Sequence, residues 1–319
     1  MTDGDEGGFE VIAVALEPRS RLERFARYYL EQGATRVSIY FDGDEDYGFE
    51  DARIAFRKCD GGFWKELGGS RPFSVEARQR AIYRWAYRRC EAPWCLIVDL
   101  DEYVMGPRKL RAFLADCPGQ VRSVRFASAE AVYAPGQGID EEFGASCFRL
   151  PIGKYLSPLM CRVLYRGLAP LYSRGLLGHS RGKQASRTGV ERISIGIHDA
   201  TVDGRWLGST RESHAAGFFL AHYDAISFRH WAEKCDRRLA RGDTLEMGSK
   251  REKQLQLYSA CAGEDDRRVL FRKLYALSAW QLSALRLLGL GGTYASLKQQ
   301  SSNGQSEREK LNTYHPSSA

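Results

Sequence analysis

The N-terminal part of the chain alternates between short apolar runs and one amphipathic segment. The runs VIAVAL (residues 11–16) and VSIYF (37–41) are continuous and apolar, which is typical of strands buried on both faces of a sheet. Between them, RLERFARYYLEQG (21–33) places its apolar side chains on one helical face and ends in Gly33. Strand, helix and strand in this order predict a βαβ unit, so we expect an α/β fold with a mainly parallel sheet flanked by helices.

A further apolar run ends in a group of carboxylates. The run WCLIV (94–98) resembles the first strand, and Asp99, Asp101 and Glu102 follow it directly. In an open parallel sheet, ligands bind where the carboxyl ends of the strands meet. Two carboxylates at positions i and i+2 can share a hard cation, Mg²⁺ or Mn²⁺, that also binds phosphate oxygens. The alternative is that these acids cap the next helix or line a solvated loop, because the same Asp-x-Asp spacing recurs elsewhere in the chain.

Other periodic segments predict the remaining elements. The alternating segment VRSVRF (121–126) predicts an edge or half-exposed strand. The polar tail predicts disorder, as does the acidic, glycine-rich N-terminus. We expect helices at residues 74–90, 224–242 and 266–292. We also expect four regions: a disordered N-terminus (1–8), a main domain (9–245), a C-terminal helical extension (246–297) and a disordered tail (298–319).

Composition narrows the choice of compartment and partner. The 319-residue chain has a net charge of +7 and a pI near 9.0, which favours diphosphates, other polyanions or anionic lipid surfaces. The arginines are spread along the chain without an aromatic and basic platform, so nucleic acid is not an expected partner. The eight cysteines are scattered with no CxxC pair, which favours a reducing, cytoplasmic location. We also expect neither a signal peptide nor a membrane-spanning segment.

Two downstream segments also carry groups suited to phosphate. The loop GHSRGKQASR (178–187) offers backbone N–H groups and Lys183, although it lacks the Gly-Lys-Ser/Thr of a P-loop. The alternative is a solvated basic turn. His222 follows the strand-like GFFLA and precedes a helix, which is the same context as that of Asp99.

An ordered set of segments is similar to one enzyme family. The set comprises VIAVALEPRSRLERFARYYLEQGATRVSIYFDGDED, RQRAIYRWAYRR, PWCLIVDLDEYV, GLLGHSRGKQASRTG, ISIGIHDA and FLAHYDAISFRHWAEK. Together these resemble glycosyltransferase family 2, of the GT-A fold, in its bacterial branch with a D-x-D-E-[FY] strand end. The resemblance covers roughly residues 9–240 and implies a Rossmann-type, mainly parallel mixed sheet, a nucleotide-sugar donor and a divalent metal. It also implies that Lys183 and Arg187 lie near the diphosphate or the acceptor.

The resemblance assigns a role to each matching residue. Asp99 and Asp101 would form the metal pair, and His222 would complete metal or diphosphate binding. The residues that it implies for nucleotide-sugar binding are Glu17, Arg19, Asp42, Arg78, Gln79, Asp99 and Lys183.

Inverting transfer also needs a general base near the acceptor hydroxyl, usually a carboxylate. Glu130 is the first candidate because it follows the alternating strand beside the expected crevice, and Asp199 is the second. The acidic trio 140–142 is a further possibility.

We therefore expect a metal-dependent glycosyltransferase that acts on a glycan or lipid-linked acceptor in cell-surface polysaccharide synthesis. The basic, leucine-rich segment at 266–292 could lie on a membrane surface, or it could be an ordinary packed helix. The chain reads LEPR where the family more usually reads K-N-E. This departure leaves open a non-catalytic nucleotide- or glycan-binding protein on a degenerate scaffold.

Overall fold

The computed structural model describes residues 6–207, 210–212, 216–241 and 248–295. The tail predicted to be disordered lies outside these residues, and so does most of the corresponding N-terminal segment (1–5). Gly7 and Gly8 are described and buried, and the Gly8 carbonyl accepts a hydrogen bond from the backbone of Trp94 at 3.1 Å.

Strands and helices alternate along the first half of the chain, as the βαβ pattern predicts. The strands are β1 (Phe9–Ala15), β2 (Arg36–Phe41), β3 (Ile54–Lys58), β4 (Trp94–Ile97), β5 (Glu102–Met105), β6 (Ser123–Phe126), β7 (Ser128–Val132), β8 (Cys147–Arg149), β9 (Lys183–Arg187), β10 (Ile193–Ile195), β11 (Ala200–Val202), β12 (Arg205–Trp206), β13 (Thr210–Glu212), β14 (Phe219–His222) and β15 (Gly291–Thr293). The helices are α1 (Arg19–Glu31), α2 (Gly61–Glu66), α3 (Val75–Tyr87), α4 (Leu110–Ala115), α5 (Ser157–Tyr165), α6 (Phe228–Arg241), α7 (Ser249–Ser259), α8 (Glu264–Tyr275) and α9 (Ala279–Leu287), with a 3-10 helix at Arg166–Leu171.

The largest sheet is mixed but mainly parallel. Its strand order is β13-β6-β9-β4-β1-β2-β3, and only β9 runs antiparallel to its neighbours. Helices flank it: α1 packs Leu22, Phe25 and Tyr29 into the core, and α3 packs Ile82 and Tyr83. The predicted Rossmann-type α/β fold with a mainly parallel mixed sheet is confirmed.

At two places the chain passes directly from a strand of this sheet into a strand of a second sheet. The five-stranded sheet has the order β15-β8-β7-β14-β5. The chain leaves β4 in the first sheet, crosses at residues 98–101 and enters β5 in the second; β6 continues into β7 in the same way. Asp99 and Asp101 therefore lie at the junction of the two sheets, where the backbone is no longer fully engaged in either ladder.

The structure corrects the prediction for the strand at 121–126. The strand β6 is not at an edge, because β9 pairs with one side of it and β13 with the other. Ser123, Val124 and Phe126 are buried, whereas Arg122 is exposed and Arg125 is partly exposed. The alternation therefore reflects partial exposure of the arginines in a segment that is paired on both sides.

The predicted helix at 266–292 is two helices. Between α8 and α9 the backbone N–H of Leu277 donates to the Tyr133 carbonyl at 3.0 Å. The backbone N–H of Tyr133 donates in turn to the Tyr275 carbonyl at 2.8 Å. Ser278 then starts α9 with a capping box, accepting from the Gln281 backbone while the Gln281 side chain reaches back. The segment between the two helices bonds the backbone just after β7, and Ser278 then caps a new helix. For these two reasons the helix does not continue, although the sequence is apolar enough for one helix.

The C-terminal helices share the core of the main sheet. Tyr258 of α7 and Phe271 and Tyr275 of α8 are buried around Trp231 of α6. All of them belong to the same hydrophobic cluster as the residues of β1 and β4. The boundary predicted at residue 246 stays a prediction.

Candidate active-site cleft

A cleft of about 500 Å³ opens where the carboxyl ends of β1 and β4 meet. It is bounded by the loop after β1, the junction after β4, the N-terminal turn of α3, the end of β14 and the polar face of α6. The charged and titratable residues that line it are Glu17, Arg21, Glu76, Asp99, Asp101, His179, His198, His222, Asp224, His230, Lys234, Arg237, Arg238 and Arg251. The cleft lies at the edge of the sheet where ligands bind in α/β folds.

Asp99 is held by protein groups on several sides. Lys183 Nζ donates to Asp99 Oδ2 at 2.7 Å, and the other carboxylate oxygen accepts from Tyr83 at 3.2 Å and Gln79 at 3.3 Å. Lys183 comes from the antiparallel strand β9 and is only 1% exposed, whereas Asp99 keeps 31% exposure. Gln79 and Lys183, which the resemblance assigns to nucleotide-sugar binding, thus both contact Asp99.

The buried ammonium of Lys183 remains charged. Burial lowers its pKa, but the carboxylates of Asp99 and Glu102 outweigh burial and raise the pKa above its ordinary value. Glu102 Oε2 lies 3.5 Å from Lys183 Nζ and accepts from the Asp99 backbone at 2.8 Å. Burial raises the pKa of Glu102 to about 7, with Lys183 acting in the opposite direction and Asp99 in the same one. Lys183 is therefore a cation that two acids beneath the cleft share.

Asp101 faces a histidine and a second lysine. Its Oδ2 accepts from Lys234 Nζ at 3.0 Å, and its Oδ1 lies 3.8 Å from His222 Nε2. Burial lowers the pKa of His222, but Asp101, Glu102 and Asp224 outweigh it and raise the pKa. The register of β5 and β14, which places His222 opposite Glu102, brings this histidine to the strand end that carries Asp101.

These donors fit a divalent cation in part. The 3.8 Å between Asp101 Oδ1 and His222 Nε2 is a separation that two ligands at about 2.1 Å from one cation can span. Lys183, Tyr83 and Gln79 already engage the oxygens of Asp99, although its side chain is more exposed (31%) than that of Asp101 (16%). Within the described part of the chain, no group of three His, Cys, Asp or Glu side chains is arranged to hold a metal. Asp101 and His222 are thus a two-ligand candidate that a diphosphate would have to complete.

Glu17 anchors the opposite wall. It accepts from Arg21 at 2.5 Å, and its other oxygen lies 3.5 Å from His230 Nε2 and 3.4 Å from Arg237. Burial raises the pKa of Glu17, but hydrogen bonds and charge from His230 and Arg21 outweigh it and hold the pKa at about 2. Arg19, by contrast, is exposed, pairs with Glu23 at 2.7 Å and does not line the cleft.

Asp42 lines a neighbouring hollow, and neither Asp42 nor Arg78 lines the cleft itself. Arg78 is buried; it contacts Asp42 at 2.9 Å and donates to the carbonyls of Pro72 and Phe73 at 3.1 and 2.8 Å. Asp42 also accepts from Arg71 at 2.8 Å. A hollow of about 930 Å³ beyond the ends of β1, β2 and β3 is lined by Asp42, Arg71, Lys58 and Trp64 and adjoins the cleft at Leu16.

The structure does not support Glu130 as a general base. Its side chain is 0% exposed, and it accepts from Arg149 at 2.6 Å and from the backbones of Leu177 and Gly178 at 3.2 and 2.6 Å. These bonds fix the loop that enters the segment at 178–187, so Glu130 is a structural residue. The correct neighbourhood was inferred from its strand, but the side chain points into the protein.

Asp199 does not line the cleft, although its neighbour in sequence, His198, does. Asp199 accepts from Arg125 at 3.1 Å, lies 3.6 Å from Arg181 and keeps 18% exposure. The adjacent His198 lines the cleft and stacks on His179 with ring centroids 3.7 Å apart. Burial lowers the pKa of both histidines, to about 3 for His198 with Lys183 contributing, and to about 4 for His179 with Arg181 contributing. Asp199 is therefore a partly accessible carboxylate beside neutral imidazoles.

Sequence reasoning missed the cluster of groups that follow β14. Asp224 accepts from Arg251 at 3.0 and 3.2 Å and from Tyr275 at 2.6 Å, and it lies 3.7 Å from Lys234. Arg251 of α7 and the polar face of α6 thereby reach the cleft. The sequence contained part of the signal for this cluster. The segment after His222 is a predicted helix, and a helix that follows a strand closely turns one face toward the end of that strand.

Comparisons with known proteins give little further help. No protein-family model matches the chain, and no curated protein is similar to it in sequence. Among solved structures, the chain is similar to the crystal structure of TarS 1–349 from S. aureus, with 9% identity and a TM-score of 0.26 over 97% of this chain and 93% of that one. A TM-score this low carries no argument about function. Within the described residues, no helix is both long and apolar enough to cross a membrane.

Proposed function

We propose that this protein is a glycosyltransferase that moves a sugar from a nucleotide-sugar donor to a glycan or lipid-linked acceptor, in cell-surface polysaccharide synthesis. The observation that carries the proposal is the pairing of Asp101 with His222 at the carboxyl end of β4, inside a cleft with several cationic side chains. A carboxylate, an imidazole and surrounding cations at this place in an α/β sheet suit a metal-bound diphosphate.

Asp101 and His222 would hold Mn²⁺ or Mg²⁺, with diphosphate oxygens completing the coordination. When bound, the cation supplies Lewis-acid stabilisation of the diphosphate that leaves. Lys234, which bonds Asp101 at 3.0 Å, lines the same cleft and would supply positive charge for the phosphates. Arg237 and Arg251 line the same cleft and add positive charge for the phosphates.

The hollow beside Asp42 gives the nucleoside a place next to the diphosphate. It adjoins the cleft at Leu16 and offers polar groups that include Asp42 and Lys58. Its position past the ends of β1 and β2 corresponds to the crevice in which nucleotides bind in this class of sheet. In this proposal Arg78 contributes indirectly, by fixing Asp42 at 2.9 Å.

In the transfer itself, the acceptor oxygen forms a bond to the anomeric carbon while the bond from that carbon to the diphosphate oxygen breaks. The diphosphate leaves with the electron pair, and the proton of the acceptor hydroxyl passes to a base. Asp199 remains a candidate, as a carboxylate of 18% exposure that is next in sequence to His198, which lines the cleft.

Turnover of nucleotide sugars tests this function. The protein with Mn²⁺ is offered UDP- and GDP-sugars separately, and the nucleoside diphosphate that is released is measured with water or an added glycan as acceptor. Release by the wild-type protein that is lost in Asp101→Asn supports the proposal. Release that is equal in Asp101→Asn and wild type, or that persists after removal of the metal, would contradict it.

One observation favours the second candidate, a nucleotide-binding protein without catalysis. Lys183 and Lys234 place protein cations on Asp99 and Asp101, where a metal would otherwise balance the charge. Binding of a nucleoside diphosphate without metal and without turnover of any nucleotide sugar would support this candidate over the enzyme.

A further inference from the structure

Helix α5 exposes apolar side chains on the face that points away from the core. Its inner face buries Cys161, Leu164 and Tyr165. Leu156, Leu159 and Val163 follow one another at helical spacing on the outer face, and Leu159 is 66% exposed. Tyr155 precedes them and is 92% exposed. A helix that is apolar on both faces has a second surface to cover.

Helix α9 contacts the end of α5 and also exposes apolar side chains. The Gln281 side chain donates to the Leu164 carbonyl at 2.7 Å, which ties the start of α9 to the end of α5. The Leu150 backbone donates to the Leu290 carbonyl at 2.8 Å, so the far end of α9 lies near the chain that enters α5. Two hydrogen bonds thus connect the segments that contain α5 and α9. We use the name α5–α9 face for the exposed large apolar residues of these two segments, which are Tyr155, Leu156, Leu159, Val163, Trp280, Leu287 and Leu288.

Only basic residues carry charge in the segments that form this face. The sequence has no aspartate or glutamate from Phe143 to Val190, nor from Arg267 to Ser306. The exposed charged side chains on or next to the two helices are Lys154, Arg162, Arg166 and Arg286. Exposed leucines with a tryptophan and a tyrosine, framed by arginine and lysine, are the composition of a surface that rests on anionic lipid.

We infer that the α5–α9 face docks on an anionic membrane surface. The apolar side chains enter the boundary between headgroups and acyl chains, and the basic side chains pair with lipid phosphates. Charge decides against a second copy of this chain. A two-fold contact would place the same basic side chains opposite each other with no acidic residue of the face to neutralise them. The inference does not depend on the proposed sugar transfer.

Co-sedimentation with vesicles tests the inference on the full-length protein. One set of vesicles is phosphatidylcholine alone, and in the other about a third of the lipid is phosphatidylglycerol. We expect binding to the anionic vesicles that weakens as salt rises, and much weaker binding to the neutral ones. Absence of binding to the anionic vesicles, or equal binding to both sets, would overturn the inference.

Two pairs of substitutions localise the contact. Leu159→Asp with Val163→Asp should reduce binding about tenfold or more, because two apolar insertions are lost and negative charge is added. The matched control is Leu257→Asp with Val269→Asp, which alters exposed apolar residues on α7 and α8 and should bind as the wild type does. Equal loss in both pairs would overturn the assignment to the α5–α9 face.

A charge variant and a measurement without lipid complete the test. Arg162→Gln with Arg166→Gln should lower affinity for anionic vesicles, by roughly fivefold for each charge removed, while its thermal unfolding stays close to that of the wild type. Sedimentation velocity without lipid should show a monomer. A dimer that dissociates in Leu159→Asp with Val163→Asp would show that a second copy covers the face and would overturn the membrane assignment.

Discussion

The ammonium of Lys183 lies 2.7 Å from the carboxylate of Asp99, and this pair closes the floor of the cleft. Two residues further along the chain, Asp101 bonds Lys234 and faces His222. The two aspartates of this Asp-x-Asp sequence therefore have different partners. Asp99 pairs with a buried lysine, and Asp101 pairs with a lysine that lines the cleft.

Removal of the Lys183 charge should be costly to the fold. Lys183→Met leaves Asp99 and the buried Glu102 without their shared cation, and we expect a loss of about 3–5 kcal/mol in the free energy of unfolding. Urea denaturation measures it. The control Lys253→Met, at an exposed position of α7, should change the free energy by less than about 0.5 kcal/mol. Equal, small changes in both variants would show that the pair is not structural.

Glu17 predicts a pH dependence with a defined sign. Its pKa is lowered from 4.5 to about 2 in the folded protein, so its contribution to stability is present above about pH 4.5 and is lost as the pH falls toward 2. Glu17→Gln should cost up to about 3 kcal/mol near neutral pH and less than half of that near pH 3. Denaturation at the two pH values, beside the exposed control Glu252→Gln, measures the difference. A cost that does not change with pH would contradict the assignment.

The close approach of Gly178 to His222 predicts a selective effect on ligand binding. A Cβ at Gly178 would lie 2.8 Å from His222 Cε1 and 3.2 Å from Glu130 Oε1. Gly178→Ala should displace the imidazole and weaken metal-dependent nucleotide binding about tenfold or more. Gly153→Ala, where a Cβ meets nothing within 4 Å, is the matched control and should bind normally. Unchanged binding by Gly178→Ala would argue that His222 is not a ligand.

The base assignment can be separated from binding. Asp199→Asn should keep nucleotide affinity and lower turnover about a hundredfold or more, because only proton transfer is impaired. Asp203→Asn removes a carboxylate that pairs with Arg192 at the surface and should have full turnover. If both variants turn over at the wild-type rate, Asp199 is not the base.

The sequence predicted the sheet better than it predicted the site. The apolar runs of β1, β2 and β4 identified the parallel sheet because strands buried on both faces have no polar alternation to obscure them. The position of Asp99 and Asp101 at a strand end was also predicted. Their division of roles was not, because Lys183 reaches Asp99 from an antiparallel strand far along the chain.

Two errors have the same physical origin. Glu130 was chosen for its strand, and the segment at 266–292 was predicted to be one helix from its periodicity. The local sequence pattern does not indicate that Arg149 on the next strand pairs with Glu130. It also does not indicate that Leu277, between two helices, bonds the backbone of Tyr133. Both features are long-range contacts, which periodicity within a window does not contain.

The central claim is that Asp101 makes nucleotide binding depend on a metal. Isothermal titration of the protein with UDP, and then with GDP, is carried out with and without Mn²⁺. It uses the wild type, Asp101→Asn and the exposed control Asp265→Asn. The account predicts binding of one nucleotide that requires Mn²⁺, is lost in Asp101→Asn and is kept in Asp265→Asn. Binding that is equally tight without the metal, or in Asp101→Asn, would contradict it, and so would the absence of binding of either nucleotide.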